Sequence, residues 1–282
     1  MADDKGIFAT LATFATDIAP LLNQPARNLS DNDAFHLMMS LADIGEITLF
    51  DKVVTDKAGN ITSHRPGAQT RIVPAMAGIP FLKAREHNGG PNGSLGATQQ
   101  QFFSPTPGFA IVLYKLAQML DKDWDATQIV YGGIGAGGNA AVTDCHSTGH
   151  CVDFYGANTK MGNFDVRRDW WMRPVVDWAG NVHPSEGNTW ALDHWKNETN
   201  TYYRFAFSQD PSDNAASEFF AAVYEFAHDE TRAEAFDIDP QAFISGSALR
   251  QGFIIHPDYP KKDPKGRQAH NDHIHFQLGK TQ

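Results

Sequence analysis

The chain has 282 residues, 41% apolar and 20% charged, with 24 Gly and 15 Pro. This is globular composition, long enough to bury a real core and without collagen-like, coiled-coil or low-complexity character. The 23 Lys plus Arg face 33 Asp plus Glu, a net charge of -10 that leaves no electrostatic footprint for phosphate backbones or acidic lipid and argues against nucleic acid as a partner.

Ile7, Leu11, Phe14 and Ile18 follow one another at spacings of four and three, the stripe of an amphipathic helix over Gly6 to Leu22, with Pro20 and Pro25 marking its end. Asp17 and three threonines interrupt that stripe too often for a membrane span, and Asp3 and Asp4 stand where a Sec signal carries positive charge, so neither is expected. The stripe reads as core packing or as a docking face for a partner or delivery machine. A second helix is expected from Asp31, as its cap, through Phe35, Leu37, Met38 and Leu41.

Thr55 to Pro107 is rich in Gly, Pro, Asn and Gln, with a dense turn signal from Asn88 to Gly93, and reads as long loops and short strands. Gly108 to Asp121 is an almost wholly apolar helix that must be buried on most sides, followed by a strand over Gln128 to Tyr131. Asp210 before Pro211, with Asp213 in the first turn and Phe219, Val223 and Phe226 on one face, predicts a helix from Pro211 to Ala235. Gly252 to His256 and His273 to Leu278 read as strands on either side of a Pro/Lys-rich loop from Asp258 to Arg267.

His270, His273 and His275 crowd into six residues, where uniform placement of the histidines would put about a quarter of one. If His273 to Leu278 is a strand, period two places His273, His275 and Gln277 on one face and Ile274, Phe276 and Leu278 on the other, so imidazoles project from a strand whose back is core. A second cluster runs from Asp144 to Phe154. One reading of it takes His146 and Asp153 as metal ligands, with Gly149 letting the loop turn between them. Adding His275 gives three N and O donors of the kind zinc accepts, with a fourth tetrahedral position left for a water that the metal acidifies.

Together the two clusters resemble the penicillin-insensitive murein endopeptidases, within the wider group of lysostaphin, D-alanyl-D-alanine carboxypeptidases and hedgehog proteins. That family's His-x-x-Gly-x-x-x-Asp motif is matched by His146, Gly149 and Asp153, and its His-x-x-His-x-His motif by His270, His273 and His275. Gln128 to Gly135 is similar to the strand and glycine turn that lead into the first motif. The resemblance covers Asp121 to the C-terminus and implies a zinc ion held by His146, Asp153 and His275, with His273 and His270 as catalytic bases or electrostatic helpers. It implies as substrate a peptide cross-link of peptidoglycan, an amide beside D-alanine and diaminopimelate. More than a hundred residues separate the two motifs, longer than the family leads one to expect.

Three other signals compete for function. Gly133 to Gly138 satisfies GxGxxG, but no helix of useful length follows it before Gly149. Asp121 to Asp125 begins like a calcium loop, yet Ala126 and Gly132 occupy the positions that need Gly and Glu, so it reads as a helix end and turn. The two cysteines, Cys145 and Cys151, are too few for a disulfide scaffold and wrongly spaced for a CxxC pair. They leave open one local bridge, or a thiolate nucleophile of an amidase or transpeptidase that would give the histidine cluster no role.

The expected architecture is α+β: a small antiparallel sheet bearing the zinc site on one face, wrapped by helices, with residues 1–60 as an N-terminal helical extension and 61–282 as the metallopeptidase-like domain. Trp170, Trp171, Trp190 and Trp195 divide between core and substrate groove. A murein hydrolase acts in the periplasm, so a chain that begins without a Sec signal is expected either to have had that signal removed or to leave the cytoplasm by another route, and a phage lysis enzyme is one such case. An antibacterial effector delivered by a secretion system, met by an immunity protein or carried by an adaptor, fits that expectation. The rival reading is a non-catalytic zinc- or ligand-binding module of the same fold.

Overall fold

A computed structural model describes residues 18–84, 97–134, 145–169, 172–177, 203–207, 214–231, 253–255 and 273–279. The expected helix Gly6 to Leu22 is described only from Ile18 on, where a short helix α1 spans Ala19–Leu22. Pro20 lies in its first turn rather than ending it, because proline's missing N–H has no intrahelical partner to lose there. After a 3-10 turn at Ala26–Asn28, helix α2 runs over Asp31–Asp43. Its cap is Ser30, one residue before the expected Asp31: the Ser30 hydroxyl accepts the Asp33 N–H at 3.1 Å, and Asp31 falls in the first turn, where its charge favours the helix N-terminus.

Four strands follow, β1 (Ile47–Leu49), β2 (Ile72–Met76), β3 (Ile79–Ala84) and β4 (Ala97–Thr98), within the stretch that reads as loops and short strands. The apolar helix is longer than expected: α3 spans Pro107–Trp124 and stops where Asp125, at φ 49°, takes the left-handed cap conformation. Asp121 is therefore helical and Ala126 opens strand β5 (Ala126–Tyr131), so the calcium-like segment is a helix end and turn, as its sequence suggests. Strands β6 (Cys151–Thr159) and β7 (Gly162–Asp165), a short helix α4 (Val166–Asp169), and strands β8 (Met172–Asp177) and β9 (Tyr203–Phe207) come next. Helix α5 (Asn214–Thr231) lies within the expected Pro211 to Ala235, and strands β10 (Phe253–Ile255) and β11 (Ile274–Gln277) within the two expected C-terminal ones. The tryptophans at 170, 171, 190 and 195, His270, the tips of both expected glycine-rich turns and the Asp258 to Arg267 loop lie outside the described residues.

The fold is α+β, but the sheet is mixed rather than antiparallel. Among the described residues, nine strands join it along the path β1-β2-β3-β5-β6-β11-β10, with β4 on β3 and β7 on β6, while β8 and β9 pair with each other in a separate two-stranded sheet. The parallel pair among the described residues is β3 with β5, in register Phe81↔Ile129 to Lys83↔Tyr131. Two strands joined through a long helix can return in the same direction, and α3 supplies that crossover. Sequence alternation within each strand cannot report it.

The core runs from Ile18 and Leu29 through α3 to Phe276 and Leu278. Phe109, Ala110, Ile111, Val112, Leu113, Leu116, Ala117 and Leu120 of α3 are all buried, and the helix packs against α2, α5 and β5. Under the parallel strands, Phe81, Phe103 and Tyr131 meet edge to face at 5.7–6.2 Å. On the other side Phe219 of α5 stacks on Phe164 at 4.3 Å and meets the edge of Trp124 at 5.2 Å.

Helix α5 is also held by a nearly buried ion pair. Lys115 Nζ lies 3.0 Å from Glu230 Oε1 with side-chain exposures of 11% and 13%, and Glu230 Oε2 accepts the Ala26 N–H at 2.7 Å. Removing one member strands the other, so Glu230→Ala is expected to cost about 2 kcal/mol in a urea titration, below the fully buried limit because some water still reaches the pair. A Lys115→Met/Glu230→Leu double variant should recover the part of that loss due to the stranded ammonium, while the Ala26 N–H still lacks its acceptor; no recovery would mean that the ion pair is not what holds the helix.

Candidate metal centre

The site begins with strand register. Strand β11 pairs with β6 so that His275 stands directly opposite Asp153, with Ile274 opposite Phe154 and Phe276 opposite Val152. Directly opposed side chains in an antiparallel pair have their Cβ atoms about 4.5–5.5 Å apart. The Asp153 carboxylate can therefore reach its neighbour: His275 Nδ1 lies 2.8 Å from Asp153 Oδ1. The expected alternation holds in its chemistry, since Phe276 meets Phe109 on the core side at 6.2 Å while His275 faces Asp153. Both faces are nevertheless buried, because the turn at residues 145–150 covers the histidine side and His150 O accepts the Leu278 N–H at 2.9 Å.

That turn brings in His146. Its Nδ1 donates to the Gly133 carbonyl at 2.7 Å, which fixes the tautomer and leaves the Nε2 lone pair facing Asp153 Oδ1 at 3.4 Å. His273 completes the group, with Nε2 3.3 Å from the same oxygen. One carboxylate oxygen thus has three imidazole nitrogens around it. His273 and His275 are buried, while the side chains of His146 and Asp153 keep 29% and 17% exposure, so the cluster opens on the His146 side.

Electrostatics fix the charge states. Burial alone would raise the Asp153 carboxyl, but hydrogen bonds from His273 and His275 together with their charge outweigh it and hold the group well below the ordinary carboxylate range. Burial pushes the His275 imidazole below its ordinary value against the upward pull of Asp153, with His146 and His273 adding to the depression. An ionised carboxylate beside a neutral imidazole is the charge arrangement that a cation requires of its ligands. Tetrahedral zinc with bonds of about 2.0–2.2 Å holds N and O donors about 3.3–3.5 Å apart. The His146–Asp153 separation of 3.4 Å already fits that spacing; the 2.8 Å His275–Asp153 contact has to open by several tenths of an ångström, and His275 has to carry its proton on Nε2 to free Nδ1 for the ion.

The two cysteines are bridged across the same corner, with Cα atoms 5.5 Å apart. Cys145 Sγ lies 3.6 Å from His275 Nε2, and the donor atoms of Cys145, His146, Cys151 and His275 all fall within 4.8 Å of one another. This Cys/His cluster could hold a metal ion, although bridged sulfurs are not thiolate ligands. No family model, curated protein or solved structure matches the chain. Of the five residues that the sequence singles out, His146, Asp153, His273 and His275 converge on one point, and His270 lies outside the described residues.

Several supporting residues escape a motif-based reading. Strand β5 pairs Val130 with Gly156 and Tyr131 with Phe154, so Tyr155 is the extra residue of a bulge beside Asp153, and its ring lies 5.2 Å from that of His273. Period two from Asp153 is the only hint of it. Gly132 allows the close approach: a Cβ there would stand 2.8 Å from Asp153 Cβ and 3.0 Å from Tyr155 Cε2. Gln69, distant in sequence, donates through Nε2 to Ser104 O and Ser147 O, both at 3.0 Å, and ties the His146 turn to the rest of the fold. Gln69→Ala is expected to cost about 1–2 kcal/mol, the worth of one partly buried and one exposed hydrogen bond, and to weaken metal binding several-fold in a chelator competition. Unchanged affinity would show that the turn holds its shape without the clamp.

Proposed function

We propose that this chain is a zinc-dependent hydrolase of peptide amides in peptidoglycan. The observation that carries the reading is the convergence of His146 Nε2, His273 Nε2 and His275 Nδ1 within 3.4 Å of Asp153 Oδ1, in the order and spacing of the two murein endopeptidase-like motifs. His146, Asp153 and His275 would hold the metal, which when bound supplies a Lewis acid and an acidified water. Gly133 orients His146 through its carbonyl. His273, buried between Asp153 and the Tyr155 ring, is placed to hold or accept a proton at Nε2, and the carboxylate stabilises the imidazolium that results. His270 is assigned the same helping role by its motif. The partly exposed His146 side is where a stem peptide would approach.

The Cys145–Cys151 bridge supports action in an oxidising compartment, as the cell wall of a target bacterium is. It also removes both thiols from service as nucleophiles, which weighs against a cysteine amidase. No described helix is long and apolar enough to cross a membrane. An antibacterial effector, delivered into the periplasm of a target cell and neutralised by an immunity protein, fits this reading.

The test is digestion of purified muropeptides by the full chain, with and without a chelator, beside His146→Ala. Cleavage that needs zinc and His146 is the expected result. Cleavage indifferent to both would sink the reading, and zinc bound without cleavage of any cell-wall substrate would assign the chain as a binding module.

A further inference from the structure

Resting on the open zinc centre just described, we propose that the same corner contains a second, closed metal site. Its donors are Cys145, His146, Cys151 and His275, it forms when the disulfide is reduced, and it excludes the open one. Three features of the geometry point to it. The four donor atoms already lie within 4.8 Å of one another. The His275 ring offers a nitrogen to each side, Nδ1 to Asp153 at 2.8 Å and Nε2 to Cys145 Sγ at 3.6 Å. With Nδ1–H donating to the carboxylate, the lone pair of neutral His275 sits on Nε2, on the sulfur side, so the tautomer in place suits a thiolate-bound metal.

Exclusion follows from shared ligands. The Gly133 carbonyl occupies His146 Nδ1, so this ring has one nitrogen to give, and a single ion claims it. Two thiolates and two imidazoles close a tetrahedral zinc site and leave no position for water, whereas His146, Asp153 and His275 leave one. The reduction balances with two equivalents of a small-molecule thiol: the S–S bond breaks, Cys145 and Cys151 each gain a thiol hydrogen, and the two donor thiols leave as their own disulfide. A divalent ion then displaces the two thiol protons to solvent. In the reducing compartment where the chain is made, the ion is locked and inert; in an oxidising one, the bridge takes the sulfurs away and the open centre remains.

Cobalt(II) alone is the probe, added to the full chain as oxidised protein and after reduction with a phosphine, which competes for no metal through sulfur. Thiolate ligation gives a near-ultraviolet sulfur-to-cobalt charge-transfer band. The reduced protein is expected to show that band and the oxidised protein to bind cobalt without it. The band should survive Asp153→Asn, fall by about half in Cys145→Ser and vanish in Cys145→Ser/Cys151→Ser, with zinc affinity rising on the order of ten-fold or more on reduction. Cobalt bound to reduced protein without the band overturns the proposal and leaves the open centre standing. So does loss of the fold on reduction, read by far-ultraviolet circular dichroism. A band in the reduced protein with no cobalt bound to the oxidised one supports the closed site and sinks the open-centre reading instead.

Discussion

Asp153→Asn is expected to lower zinc affinity of the oxidised protein by more than about a hundred-fold, beyond the loss typical of supporting residues around a metal, because it removes the one anionic donor at the point where three imidazoles meet. The amide keeps the shape of the carboxylate and can still accept from His275 Nδ1, now 2.8 Å from Asp153 Oδ1, so the strand pairing of His275 with residue 153 should persist. What disappears is the charge that burial makes costly and that His273 and His275 stabilise. Competition against a chromophoric chelator reads the affinity, and amide exchange of β6 and β11 reads the fold. Wild-type affinity in the variant would show that Asp153 orients the histidines rather than binding the ion. Muropeptide cleavage should fall with the affinity.

The motif residues were legible because they lie on elements whose local pattern is strong. His275 sits on a strand with apolar residues at alternate positions, and Asp153 two positions into another. What no local pattern contains is the pairing between them, 122 residues apart in sequence, which sets the 2.8 Å contact. The parallel alignment of β3 with β5 was hidden for a related reason: alternation along a strand says which face is buried and nothing about the direction of its neighbour. Gln69 and the Gly133 carbonyl were invisible because their contribution is one hydrogen bond each to a distant turn. The disulfide was visible only as an option, since six residues of separation permit a bridge without requiring it. The site therefore depends on long-range register more than on its motifs, and the backbone that aligns those motifs carries the consequence.

Gly149 is where that dependence is most exposed. It stands in the first motif at φ 74°, in the left-handed region, and a Cβ there would overlap the Ser104 carbonyl oxygen and stand 3.0 Å from Gln69 Nε2. Its own carbonyl accepts the Thr106 N–H at 2.8 Å at the cap of α3, and its N–H donates to His146 O at 3.2 Å. Gly149→Ala adds the left-handed penalty of about 1–2 kcal/mol to about 1–3 kcal/mol for moving a packed backbone. The expected loss is therefore about 2–5 kcal/mol, read as a lower urea midpoint at unchanged slope. Relief of the overlap has to come from the turn, because Ser104 is tied through Ser104 N to Ile134 O, and through its own carbonyl to Gln69. The turn carries His146, so zinc affinity should fall together with stability, and the Cys145–Cys151 bridge will keep the variant from relaxing by opening the loop. A variant that loses stability but keeps wild-type affinity would place the strain on the α3 side and uncouple the glycine from the metal centre.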